Sequence, residues 1–141
     1  MRFLSVALMV MLSTSVFAQN NSGLDLALAN QLGAAAGAAY VCKAGKALED
    51  YEVIASRLLA NSAATNEEEQ TLNETYVAAK VQAIKLHKSK HPMACKEILN
   101  RFKAMRIFKF VVYADGSVKM DDGTMLHPKR PLKKVSQNKK K

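Results

Sequence analysis

Two histidines four residues apart, His87 and His91, stand just ahead of Met93 and Cys95 in the run His87-Lys-Ser-Lys-His91-Pro-Met93-Ala-Cys95. Histidines at that spacing share one face of a helix, and Met and Cys are soft ligands suited to copper. If this chain held a metal, His87, His91 and Met93 would be the donors, with His127 as a further one. Three features weigh against it. Pro92 ends helical geometry inside the motif. Lys85, Lys88, Lys90 and Lys96 surround the segment with positive charge that repels a cation. Cys95 also has a better partner. The expectation is therefore no metal and no cofactor.

That partner is Cys42, since the chain has 2 cysteines. In an oxidising compartment a lone pair of thiols becomes a disulfide. A redox site would need Cys-x-x-Cys and a haem attachment Cys-x-x-Cys-His, and neither is present. The spacing of Asp115, Asp121 and Asp122 does not fit a calcium loop, whose acidic ligands alternate and end on a Glu at the twelfth position. Beside Gly116 and Gly123 these aspartates read as turn residues. No Gly-x-Ser-x-Gly or recognisable triad spacing occurs. Glu49, Asp50 and Glu52 read as a solvated helix face. No catalytic residue is assigned, and the expectation is a protein that is not an enzyme.

The oxidising compartment is read from the other end of the chain. Met1-Arg2 is a short positive start, Phe3 to Leu12 an apolar run with a single Ser, and Val16-Phe17-Ala18 a small-residue cleavage site. The apolar run is too short for a membrane span, which needs ~20 residues, and suits a secretory signal peptide. Residues 1–18 are expected to be removed, leaving a periplasmic or secreted chain of one domain with no transmembrane span.

Charge is strongly divided along that chain. Residues 19–79 carry three basic and eight acidic side chains, whereas residues 80–141 carry 17 basic and four acidic ones. Such a division favours a polyanionic partner for the C-terminal half. The expected contact residues are Lys103, Arg106 and Lys109, three apart and so forming one ridge, together with Lys129, Arg130, Lys133 and Lys134 of the tail. The expected partner is an envelope polyanion, anionic lipid headgroups or an acidic protein. Nucleic acid is not expected, because no nucleic-acid module is matched and Phe108, Phe110 and Tyr113 are better placed for a core than for base stacking.

The elements that must position these residues are mostly helical. Ser22-Gly-Leu-Asp25 has capping-box spacing. Leu28, Leu32, Ala35, Ala39 and Cys42 then recur at helical intervals, and the pattern continues through Leu48, Tyr51, Ala55, Leu58 and Leu59 with a break expected near Gly45. Gly33 and Gly37, in an Ala-rich stretch, predict close packing of two helices. A second capping box, Thr65 to Glu68, starts a helix to about Lys88, with Leu72, Tyr76, Ala79, Ala83 and Leu86 in one stripe widened by Val77, Val81 and Ile84. Beyond Pro92, Cys95, Ile98, Phe102 and Met105 share a face. Ile107 to Tyr113 is β-branched and aromatic, and Asp115-Gly116 and Asp122-Gly123 are turn signals, which predicts a short hairpin or meander over about 107–126. The rival is a helix prolonged to Tyr113. The tail 128–141 has no acidic residue and is expected to be disordered in isolation. The fold expected is mainly α: a small antiparallel bundle of three to four helices in residues 19–127, stapled by Cys42–Cys95, with a C-terminal β-hairpin and a basic tail.

Overall fold

The computed structural model describes residues 21–89 and 95–131. The expected signal peptide, His91, Met93, Lys133 and Lys134 lie outside them. Four helices come first: α1 (Asn21–Val41), α2 (Lys46–Ser62), α3 (Asn66–Ser89) and α4 (Cys95–Lys103). A 3-10 turn (Arg106–Lys109) leads into three short strands, β1 (Val111–Val112), β2 (Val118–Lys119) and β3 (Met125–Leu126).

The break between α1 and α2 falls at Cys42–Gly45, where Lys43 and Gly45 both adopt φ 56°. Left-handed backbone ends a helix and is easily held by Gly. Asn21 is already helical, so Ser22 lies inside α1 rather than at its cap. At the start of α3 the cap forms as expected: Thr65 Oγ1 accepts the Glu68 N–H at 3.1 Å. The Glu68 carboxylate, however, accepts from the Ala64 N–H at 2.7 Å, one residue further back than in a standard capping box.

Short connections make α1 and α2, and α2 and α3, antiparallel neighbours. The closest pair in space is α1 with α3, and these run parallel. Gly33 lies against Tyr76 and Ala79, and Gly37 against Lys80 and Ala83, so both helices advance together. Each Gly, backed by Ala29, Ala36 and Ala39, removes the side-chain layer that normally separates helix axes. The small-residue stripe thus serves close packing within the bundle.

The core is built on Tyr51 of α2, which is 0% exposed. Its hydroxyl donates to the Leu32 carbonyl of α1 at 3.0 Å. Its ring lies 4.9 Å from Phe102 and 6.0 Å from Phe108, and those two meet edge-on at 5.3 Å. Tilted and T-shaped rings satisfy the aromatic quadrupole. Phe108 is therefore a core residue, as is Ile107.

Strand begins only at Val111; residues 106–109 form a 3-10 turn instead. A strand alternates its side chains, whereas the tight turn delivers Ile107 and Phe108 to the core in succession. The expected hairpin over 107–126 is thus a three-stranded antiparallel meander over 111–126, in order β1-β2-β3. Val118 pairs with Val112 and with Leu126. Val118 is wholly buried, and Val112 and Leu126 pack with it on the core. Both Asp-Gly turns form. Gly116 and Gly123 have φ 86° and 88°, and the Asp115 and Asp122 side chains accept the backbone N–H two residues on. From α2, Asn61 Nδ2 donates to the Gly116 carbonyl at 2.9 Å and to the Leu126 carbonyl at 3.3 Å, which ties the meander to the helices.

Candidate functional site

Because α1 and α3 are parallel, their starts lie together at one end of the bundle and their last turns at the other. The first turn of α3 holds Glu67, Glu68 and Glu69, at the end of the bundle where Asp25 sits on α1. The opposite end holds Lys43 beyond α1, Lys88 in the last turn of α3 and Lys96 in the first turn of α4, together with Glu49 and Asp50 of α2, which pair with Lys46, and Glu97 of α4, which pairs with Arg101.

The disulfide organises that second end. Cys42 and Cys95 are bonded, with 5.2 Å between their Cα atoms and 53 residues of separation. The bond joins the end of α1 to the start of α4 and brings together their sequence neighbours, Lys43 and Lys96. Lys43, Lys88 and Lys96 are exposed, and none forms an ion pair among the described residues. Lys43 falls in the acidic half of the chain and escapes a reading by halves. The signal that finds it is its place beside a bonded cysteine.

The cations singled out from the sequence have different surroundings. Lys103 ends α4 and Arg106 opens the 3-10 turn, so the three-residue spacing of Lys103, Arg106 and Lys109 crosses a helix end and builds no continuous ridge. Arg106 is engaged in the molecule: its Nε and one Nη donate to the two Asp121 oxygens at 2.6 and 2.9 Å. This guanidinium, together with the nearby charge of Lys109, holds the Asp121 carboxyl below the ordinary aspartate range. Lys103 and Lys109 are exposed and form no ion pair among the described residues. The start of the tail crosses to the acidic end. Arg130 is ion-paired with Glu69 and hydrogen-bonded to Asn66, and Lys129 lies 4.0 Å from Asp25. Residues 128–131 are thus held against α1 and α3.

The possible metal donors among the described residues do not converge. Cys95 is in the disulfide, His87 stands near the end of α3, and His127 follows β3 at the other end. The 24 residues of α3 span about 36 Å. Among the described residues no three His, Cys, Asp or Glu side chains gather as a metal site would require.

Asp115, Ser117 and His127 do meet. Ser117 Oγ lies 3.0 Å from Asp115 Oδ2 and 2.9 Å from His127 Nδ1. A hydroxyl has one proton, and the carboxylate can only accept it, so Nδ1 must carry the proton shared with Oγ. This is not a nucleophile assembly. The carboxylate holds the serine rather than orienting the histidine, and Ser117 is 2% exposed. The chain pins β3 to the first turn. Donation from the Ser117 N–H, and then from its hydroxyl, holds the Asp115 carboxyl below the ordinary range.

Among the described residues no helix is long and apolar enough to cross a membrane. Comparison with family models, curated proteins and solved structures returned no match.

Proposed function

We propose that this chain is an exported, non-enzymatic binding or accessory protein of the cell envelope or extracellular space, and that it docks a basic surface on an anionic partner. The observation that carries this reading is the end of the bundle where Lys43 and Lys96 flank the Cys42–Cys95 bond and Lys88 ends α3, all three exposed and none of them ion-paired among the described residues. Long lysine side chains fixed on helix ends are suited to phosphate or carboxylate groups arrayed on a polymer, a headgroup layer or an acidic protein. Attraction of that kind rises steeply as salt is lowered. Lys103 and Lys109 extend the same reading along α4 and the 3-10 turn, whereas Arg106, Lys129 and Arg130 are occupied within the molecule. Export is supported by the N-terminal signal pattern and by a disulfide joining the chain's two cysteines.

The test is binding of the purified protein to anionic vesicles, lipopolysaccharide and an acidic polymer across a salt series. A lysine near an anionic surface contributes about 1 kcal/mol, so Lys43→Gln with Lys96→Gln should weaken binding ~30-fold at low salt. The same loss from Arg106→Gln alone, or binding indifferent to salt, would overturn the reading.

A further inference from the structure

One face of α3 departs from the sequence pattern. Val77 and Val81, expected to widen the buried stripe, turn outward and are 55% and 43% exposed. Leu72, Ala79 and Ala83 are the buried hydrophobic residues of α3, and Ala79 and Ala83 lie against Gly33 and Gly37 of α1. Outward from these, Gln70, Glu74, Val77, Val81 and Lys85 recur at intervals of four, three, four and four residues, with Ala78 beside them. All are exposed. Those intervals keep the five residues on one side of the helix, with the two valines at its centre.

We propose that this chain pairs with a second copy of itself through this face of α3, the two helices lying antiparallel across a two-fold axis that passes between Val77 and Val81. The charges select this arrangement. A two-fold axis at that point sets Val77 of one copy against Val81 of the other, and Glu74 against Lys85, twice by symmetry. A parallel pair would set Glu74 against Glu74 and Lys85 against Lys85, which is repulsive at both ends. Among the described residues Glu74 binds only Gln70 of its own helix, at 2.8 Å, and Lys85 forms no ion pair, so both are available. The second copy supplies an apolar centre for the valines and the opposite charge for each end.

The seam from Glu74 to Lys85 is about 17 Å long. A contact along one helix of that length buries less than the ~800 Å² per partner of a stable complex, so the dimer is a weak, concentration-dependent one. The proposal is independent of the anion-binding reading, because Lys43 and Lys96 lie outside the seam.

Sedimentation of the purified protein over a wide concentration range tests it. The wild-type chain should pass reversibly from monomer to dimer, less readily at high salt. Glu74→Lys alone, or Lys85→Glu alone, should weaken the dimer roughly tenfold by turning two attractive contacts into repulsive ones. The two single variants mixed, or both changes in one chain, should recover it, since opposite charges again face each other. Both positions of this test are on the surface, and circular dichroism checks that the fold is kept. A chain that stays monomeric at millimolar concentration, single variants that dimerise like wild type, or dimerisation only after removal of residues 132–141 would each overturn the proposal. The last result would mean that the tail, not a second copy, covers α3.

Discussion

Gly33 stands so close to Tyr76 that a Cβ added to it would lie 2.2 Å from the Tyr76 carbonyl oxygen. At Gly37, one turn on, the added atom would lie 2.4 Å from the Lys80 carbonyl oxygen and 2.7 Å from Ala83 Cβ. The obstacle is backbone at both places, and it cannot swing aside.

Gly33→Ala and Gly37→Ala are therefore expected to destabilise the protein. Alanine improves helix propensity by about 1 kcal/mol, but forcing packed helices apart costs about 1–3 kcal/mol, and here two backbones must separate. Urea unfolding should show a lower midpoint for each variant. An unchanged or higher midpoint would show that α1 and α3 are not interlocked at these positions.

The disulfide closes a loop with a sequence separation of 53 residues. Chain entropy gives such a cross-link ~4 kcal/mol, an upper figure because the reduced chain keeps some structure. Reduction, or Cys42→Ser with Cys95→Ser, should lower the unfolding midpoint accordingly. It should also loosen the basic end, reducing anion binding together with stability. Equal midpoints with and without reductant would remove the staple from the account.

Asn61 is 3% exposed and holds the meander at two carbonyls, those of Gly116 and Leu126. Asn61→Ala strands both acceptors, which costs about 1–3 kcal/mol. The loss should be local first. Amide exchange in β2 and β3 should accelerate well before exchange in α1 and α3, and uniform acceleration throughout the chain would contradict this.

Acid should act on the same meander. The Asp121 carboxyl is held below its ordinary value by Arg106, and that of Asp115 by the Ser117 N–H. A carboxyl depressed in the folded state stabilises it fully above the ordinary aspartate value, about 3.9, and loses that contribution as pH falls through the depressed folded value. Stability should decline below about pH 4 for this reason. Asp121→Asn should flatten the decline, read from unfolding midpoints between pH 6 and pH 2. Identical acid profiles for the variant and wild type would show that the Arg106–Asp121 pair makes no contribution.

Much of the fold was legible because its signals are local. Periodicity placed the helices, Gly45 their break, Thr65 the start of α3, and two Asp-Gly pairs the turns of the meander. Simple elimination paired Cys42 with Cys95. Less of the candidate site was legible. The lysines beside the two cysteines follow once the bond is known, but which cations are neutralised does not. Arg106 meets Asp121 across a sheet turn, and Arg130 meets Glu69 from the far end of the chain.

The sequence by itself determined where the chain is helical, where it turns and which sulfurs join, because each depends on neighbours a few residues away or on there being no other choice. Only the tertiary structure decided that α1 and α3 lie parallel and in backbone contact, that Ile107 and Phe108 leave the strand for a 3-10 turn, and that Val77 and Val81 face outward. Those outcomes depend on which surfaces close most tightly around Tyr51, and packing of that kind is settled among residues remote in sequence.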